Sequence, residues 1–276
     1  MVHFMKSSAT DPKSLLSCCV AAARTAGMHA LKNYSRRRKI LKSFQHDVKL
    51  ELDIECQAKA EAVIRKCFPD HPVLGEESPD HGPIRNPPDS YEWIIDPIDG
   101  TVNFSHGLPF WCCSVAVRKG EHSVAGAVFA PELNSLYTAT TREPSAMNGS
   151  RIKVSGISAL AGSIILTGLD KKKEPGHPPF ALFETIAGAT QKARIMGSAA
   201  LDLCLVASGC ADGYFETGIY LWDIAAGSLI VRQAGGKAEV LEKRDGYRIK
   251  FLATNGLIHS SLKKILKAAP ANRSSR

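Results

Sequence analysis

No run of about 18 apolar residues occurs in the sequence, so nothing in it reads as a membrane span. Residues 1–13 lack the long apolar core of a secretory signal, and a cytoplasmic protein is the expectation. There is no low-complexity tract and no internal period, which excludes fibrous and repeat architectures. Aromatic residues make up only 7% of the chain, and none alternates with basic residues as a nucleic-acid stacking surface requires. No CxxC pair marks a zinc site. The eight cysteines do not suggest a disulfide framework: Cys18 adjoins Cys19, Cys112 adjoins Cys113, and Cys204 lies in Leu203-Cys204-Leu205, where a thiol behaves as a small hydrophobe. Buried, reduced thiols are expected.

What is present is ordinary globular material. The 276 residues are 44% hydrophobic and 22% charged, enough for one large domain or two modest ones enclosing a cleft. The net charge of +8 gathers in Arg36-Arg37-Arg38-Lys39, in Lys171-Lys172-Lys173 and in the tail 263–276. The first run follows a helical stretch, where cations complement the C-terminal dipole. A solvated basic surface that favours anionic substrates is preferred over nucleic-acid binding.

Asp11-Pro12 reads as a helix start, and the apolar spacing carries that helix to about residue 34. A second helix is expected over 50–67, stopped by Phe68-Pro69-Asp70. Strands are expected at 72–74, 92–95, 111–118, 123–129 and 135–140. The second half alternates: strand 163–167, helix 180–189, strand 194–196, helix 198–208, strand 213–216, helix 222–234, strands 237–241 and 249–253, and helix 257–268. The stretch 79–88 reads as a surface loop, and 143–149 as a turn between halves. The pattern predicts a layered α/β (α+β) body: one compact unit, 1–276, with an N-terminal α+β part to about residue 145 and a C-terminal α/β part from about 146.

Three acidic clusters abut strongly apolar sequence: Gly75-Glu76-Glu77-Ser78, Trp93-Ile94-Ile95-Asp96-Pro97-Ile98-Asp99-Gly100-Thr101, and Leu221-Trp222-Asp223-Ile224-Ala225-Ala226-Gly227. Isolated buried charge is costly, so these acids should be paired, hydrogen-bonded or on a cation. In the middle cluster a turn after Asp96 can aim two carboxylates and the Ile98 carbonyl at one point. An all-oxygen ligand set suits a hard divalent ion such as Mg²⁺. Gly100-Thr101 looks like a helix start whose free N–H groups can hold an anion. Metal ligands joined to a phosphate cradle point to phosphoryl chemistry.

These segments resemble the inositol monophosphatase family of magnesium-dependent, lithium-sensitive sugar phosphatases. The matching stretches are GEES at 75–78, WIIDPIDGTVNF at 93–104 and WDIAAG at 222–227, with Gly197-Ser198-Ala199-Ala200 and Gln233-Ala234-Gly235-Gly236 in support. The resemblance implies a layered αβαβα sandwich, shared with fructose-1,6-bisphosphatase, and a homodimer. It implies two or three Mg²⁺ ions held by Glu76, Asp96, Ile98 (through its carbonyl), Asp99 and Asp223, and phosphate held by Gly100 and Thr101. Asp53 matches the acid that pairs with Thr101, and Thr101 with Asp53 or Glu76 would orient the attacking water. Asp99, Ala199, Glu216 and Asp223 would contact substrate. Glu77 is expected to shape the surroundings, and Lys42 matches a lysine near the active site in many members.

His106 is read as a structural, hydrogen-bonded histidine, because a hard metal site does not call for imidazole. Trp93 and Trp222 are read as packing beneath the site. The basic Lys171-Lys172-Lys173 loop, where inositol-selective members carry small polar residues, allows a second substrate phosphate. The expected function is hydrolysis of a small phosphate monoester, first inositol monophosphate, with fructose 1,6-bisphosphate, histidinol phosphate and 3′-phosphonucleotides as alternatives. A non-catalytic protein binding nucleic acid or another protein through the basic surface is the rival of another class.

Overall fold

The computed structural model describes residues 11–43, 48–78, 90–169, 179–244 and 246–268. Proline at the first helical position fixes φ where no N–H partner is needed, and α1 (Pro12–Lys32) starts there behind Asp11. Its buried face carries Cys19, Ala22, Ala23, Ala26 and Ala30, small residues that let the helix lie close to what it covers. β1 (Ile40–Ser43) and β2 (Val48–Leu50) form an antiparallel ribbon, which was not expected from the sequence. It leads into α2 (Glu51–Cys67), which packs along α1.

A seven-stranded sheet follows. Its strands are β3 (Val73–Gly75), β4 (Tyr91–Asp99), β5 (Cys112–Lys119), β6 (His122–Ala130), β7 (Ser135–Thr140), β8 (Glu143–Met147) and β9 (Ser150–Arg151), adjacent in that order, with α3 (Thr101–His106) between β4 and β5. Only β3 and β4 pair in parallel. The expected turn at 143–149 is instead the last hairpin of this sheet. Asn148 and Gly149 have φ of 50° and 81°, the left-handed pair that a two-residue hairpin needs.

The second half supplies β10 (Ile164–Thr167), α4 (Pro179–Ala189), β11 (Lys192–Arg194), α5 (Ala199–Ala207), β12 (Gly213–Tyr220), α6 (Leu221–Gln233), β13 (Lys237–Lys243), β14 (Arg248–Thr254) and α7 (His259–Ala268). The second sheet runs β11-β10-β12-β14-β13. β10 is parallel to both its neighbours, and β14 is antiparallel to both of its own. β11 lies two residues before its expected place.

The layers are those anticipated. Helices α1 and α2 cover one face of the first sheet, α5 and α6 lie between the sheets, and α7 with α4 covers the outer face of the second. The middle layer is tight: a Cβ on Gly126 of β6 would come 3.0 Å from Ala226 Cα, and one on Gly227 of α6 would come 2.6 Å from Leu203 Cδ1. That close approach brings the first turn of α6 to the end of β4.

Among the described residues no helix is long and apolar enough to cross a membrane. All eight cysteines are free. Six are buried as expected, but Cys67 and Cys210 are exposed. Burial pushes the Cys56 thiol up to about 12.

Candidate active site

The apolar run Trp93-Ile94-Ile95 makes the buried half of β4, and the strand continues through Asp96-Pro97-Ile98-Asp99 instead of turning after Asp96. The pairing with β5 slips here: Asp96 faces Ser114 and Asp99 faces Cys112, three steps against two. Proline cannot donate to the ladder, and a bulge absorbs the extra residue. The bulge lets both carboxylates reach the same place. Asp223 arrives from the first turn of α6, so that one oxygen from each of Asp96, Asp99 and Asp223 lies within 4.8 Å of the others.

The three carboxylates are held differently. Asp99 is the most tightly bound: Oδ2 accepts from Ser198 Oγ at 2.6 Å and from the Ala200 N–H at 2.7 Å, and Oδ1 from the Ala199 N–H at 3.2 Å. It sits at the N-terminus of α5, where free N–H groups and the helix dipole favour negative charge. Asp223 Oδ2 accepts the Tyr220 N–H at 2.8 Å. Asp96 is 1% exposed, and its Oδ1 is buried with no hydrogen-bond partner. Burial, and then the charges of Glu76, Asp99 and Asp223, hold the Asp96 carboxyl well above the usual carboxylate range. Burial and the Asp99 charge do the same for Asp223. For Asp99 burial raises the value, while the bonds from Ser198, Ala200 and Ala199 oppose it.

A cleft of about 450 Å³ opens over this cluster, with Glu76, Gly100, Thr101 and Asn103 on its walls. An adjoining cavity of about 280 Å³ is lined by Ala199, Asp202, Tyr214 and Glu216. Gly100 caps α3 at φ 91°, and a Cβ there would come 3.0 Å from Phe110 O and 3.1 Å from Gly197 O. Asn103 Nδ2 donates to those same two segments, to Phe110 O at 2.8 Å and Met196 O at 2.9 Å, and ties the cleft wall together.

Two expected contacts take another form. The Thr101 hydroxyl donates to Ile98 O at 2.9 Å, while Asp53 Oδ2 accepts the Leu50 N–H at 2.7 Å at the start of α2. A hydroxyl has one proton to give, so Thr101 does not donate to Asp53 here. The Ala199 N–H, expected to face substrate, is engaged by Asp99. Glu216 accepts the Tyr214 hydroxyl on Oε2 at 2.5 Å.

Around the site, Glu77 forms an ion pair with Lys49, and its N–H donates to Gln57 Oε1 at 2.8 Å. Lys42 is exposed on β1. His106, expected to be a structural, hydrogen-bonded histidine, is exposed at the end of α3. Trp93 is buried and donates to His71 Nδ1 at 3.2 Å. Trp222 stacks on Tyr220 with centroids 4.9 Å apart. Asp47, the 79–88 stretch and Lys171-Lys172-Lys173 lie outside the described residues. The sequence reading missed Asn103, Asp202 and the role of the Ser198 side chain. Gly197-Ser198 before a helical run did signal an N-cap, yet the hydroxyl serves Asp99.

A family model described as "Inositol monophosphatase family" matches residues 11–274. An inositol-1-monophosphatase from Synechocystis is 35% identical over 270 residues, 95% of this chain and 92% of that protein. A protein from Escherichia coli K12 named Nus factor SuhB is 36% identical over 262 residues, 94% of this chain and 95% of its own. The solved inositol monophosphatase from Anabaena superposes with a TM-score of 0.81 at 33% identity, covering 94% of this chain and 97% of that one.

Proposed function

The chain belongs to the inositol monophosphatase family, and on that premise we propose that it is a magnesium-dependent phosphatase releasing inorganic phosphate from a small polyol or sugar monophosphate, inositol monophosphate first. The observation that carries this reading is Asp96 Oδ1, a buried carboxylate oxygen without a partner, beside two more carboxylates under an open cleft. An unsatisfied anionic oxygen among like charges is stable only when protonated or on a cation. The neighbouring Cys112 thiol is kept protonated by burial, so the donor set is oxygen and fits a hard ion.

In this reading Glu76, Asp96, Asp99, Asp223 and the Ile98 carbonyl hold the ions. Bound Mg²⁺ supplies charge neutralisation and a water of lowered pKa. Gly100 and Thr101 hold the phosphate through their N–H groups, and the glycine lets the backbone approach. Thr101 with Glu76 or Asp53 orients the attacking water, and of these two acids Glu76 lines the cleft. Asp99, anchored by α5, keeps its place as charge moves. Asp223 and Glu216 face the substrate's hydroxyl groups, and Ala199, its N–H on Asp99, lines the same cavity. Catalysis is positioning and charge neutralisation, with no covalent intermediate on the protein. The family resemblance adds a homodimer and inhibition by lithium.

Phosphate release from inositol 1-phosphate, fructose 1,6-bisphosphate, histidinol phosphate and a 3′-phosphonucleotide, with Mg²⁺ or with EDTA, tests the reading. Turnover of at least one substrate only with Mg²⁺ is expected, and silence across the panel with Mg²⁺ sinks it. The name of the Escherichia coli relative, a Nus factor, and the net charge of +8 support a second reading, binding to nucleic acid or a protein partner. Salt-sensitive RNA binding that survives loss of turnover would favour it.

A further inference from the structure

Leu221, Ile224, Ala225, Ser228 and Arg232 recur at helical spacing and so share one face of α6. Asp223 lies about 200° round the helix from Leu221, on the side of the carboxylate cluster. The face that carries Leu221 lines a different cavity, of about 540 Å³, which shares no residue with the cleft over the carboxylates or with the space beside it. Its other walls are the ends of two hairpins. β5–β6 brings Arg118 and Ser123, and β13–β14 brings Ala238, Val240, Ile249 and Phe251. Ser123 Oγ donates to Ala225 O at 2.8 Å and fastens the first hairpin to α6. Lys243 Nζ donates to Glu121 Oε1 at 2.5 Å and joins the two hairpins.

The charges of this cavity do not cancel. Arg118, 6% exposed, is neutralised by Glu92, its Nε donating to Oε2 at 2.6 Å. Glu121 is taken by Lys243. Side chains alternate along a strand, so while Ala238 packs toward α6, Glu239 turns to α7, where His259 and Lys263 hold its carboxylate. Arg232 has no such partner. Its Nη1 donates to Ala238 O at 3.3 Å and its Nη2 to Ser228 Oγ at 3.2 Å, both neutral acceptors. Among the described residues no carboxylate pairs with it, and loss of water contact lowers its pKa with no neighbouring charge to offset the shift. A guanidinium has more donors than these two long bonds use, in a planar fork that fits an oxyanion. On an open helix such an arginine is simply solvated; here it shares a cavity with Ile224 and Phe251, both buried.

We propose that this cavity is a second binding site, for a small organic anion: an oxyanion carried on an apolar body of about the size of one or two rings. Arg232 with the Ser228 hydroxyl receives the oxyanion, and the apolar body lies against Ile224, Ala238 and Phe251. Apolar walls with a few convergent polar groups, in a volume of several hundred Å³, are the usual composition of a small-ligand pocket. The absence of a free carboxylate on the lining and the unpaired guanidinium together select negative charge over positive. The site is independent of the phosphatase chemistry, since it stands on the other side of α6 and uses none of the residues assigned there.

The test is a fluorescence titration of the full chain with anilinonaphthalene sulfonate, an aromatic body bearing one oxyanion, and with the uncharged phenylnaphthylamine. EDTA is present throughout, so that the metal-free carboxylate cluster repels the anion. The sulfonate should saturate a single site per chain and bind more tightly than the uncharged dye. Arg232→Gln should weaken the sulfonate by about tenfold, the scale of one hydrogen bond to a charged group, and leave the uncharged dye unchanged, while Arg232→Lys should keep most of the affinity. Ala238→Phe, which fills the cavity from a strand position that accepts an aromatic residue, should abolish binding of both. Melting curves of each variant show whether it is folded, and the comparison of the two dyes on the wild type needs no variant. No saturable binding by the wild type, equal affinity for the two dyes, or unchanged sulfonate affinity in folded Arg232→Gln or Ala238→Phe overturns the proposal.

Discussion

Replacing Asp223 with asparagine separates what its charge does from what its shape does. Asp223 Oδ2 accepts the Tyr220 N–H at 2.8 Å, a bond the asparagine carbonyl oxygen can also accept, so α6 keeps its first turn. What disappears is one of three carboxylates whose oxygens lie within 4.8 Å of one another. Without metal, removing a like charge relieves Asp96 and Asp99. One pKa unit of relief corresponds to about 1.4 kcal/mol. Over 276 residues the entropy of unfolding is on the order of 0.6 kcal/mol per degree, so that relief raises the melting temperature by about 2 °C. With Mg²⁺ the order reverses. At about 100 times its dissociation constant the ion stabilises the wild type by about 2.7 kcal/mol, or roughly 5 °C on the same scale, and the variant loses most of this. The phosphate-release rate should fall by at least about 100-fold, as when other transition-state charge stabilisers are removed. Differential scanning calorimetry in EDTA and in Mg²⁺, with phosphate release on the same samples, reads all three. A variant that melts below wild type in EDTA, gains as much from Mg²⁺ and turns over at the wild-type rate would refute the reasoning at each step.

The same cluster sets a pH dependence. Asp96, Asp99 and Asp223, and Asp202 beside them, have carboxyls raised by burial above the ordinary carboxylate range, so above that range the folded protein binds more protons than the unfolded one. Stability of the metal-free protein must then fall as pH rises through the folded values, by about 1.4 kcal/mol per pH unit for each proton difference; melting in EDTA should be higher near about pH 5.5 than near about pH 8, and a rise instead would contradict it. Gly100→Ala should cost about 2 kcal/mol in urea denaturation, because a φ of 91° is unfavourable for an L side chain and the new Cβ would press on Phe110 O and Gly197 O. Its kcat/KM should fall as well, since Gly100 and Gly197 both line the cleft; an unchanged kcat/KM would count against a phosphate cradle at Gly100 and Thr101.

Much of this was legible in the sequence because the signals are local. Trp93-Ile94-Ile95 had to be a buried strand, and a buried strand ending in two acids had to present them to something. The bulge that carries β4 through Pro97 was not legible, because it depends on β5 pairing Cys112 and Ser114 against four residues of β4. The β1–β2 ribbon lacks the alternation that would mark it, and exposed Ile40 and Leu41 on it gave no periodic signal. The hairpin at 143–149 did carry one, Asn148-Gly149, which reads as a turn until both flanks are seen to pair. Asp53 carries a signal with two readings: an acid three residues into a helix is also a cap, and Asp53 caps α2.

The distribution of cations argues for what the acids are for. The chain has a surplus of eight positive charges, ample to neutralise a cluster of carboxylates if folding alone were served. The buried and half-buried cations pair elsewhere: Arg36 with Glu51 and Glu55, Lys49 with Glu77, Arg118 with Glu92, and Lys263 with Glu239. Among the described residues no ion pair reaches Asp96, Asp99 or Asp223. A buried carboxylate group left without a side-chain cation lowers the stability of the metal-free fold, a cost that persists at functional sites when other packing carries it. Here the packing is the middle layer, where Gly126 against Ala226 and Gly227 against Leu203 lock α5 and α6 between the sheets. A lysine in the cluster would remove the strain and also occupy the place of the ion. On the proposed reading, the layer rigid enough to hold the acids together without a side-chain cation is what would keep the cleft open to a divalent cation and a phosphate.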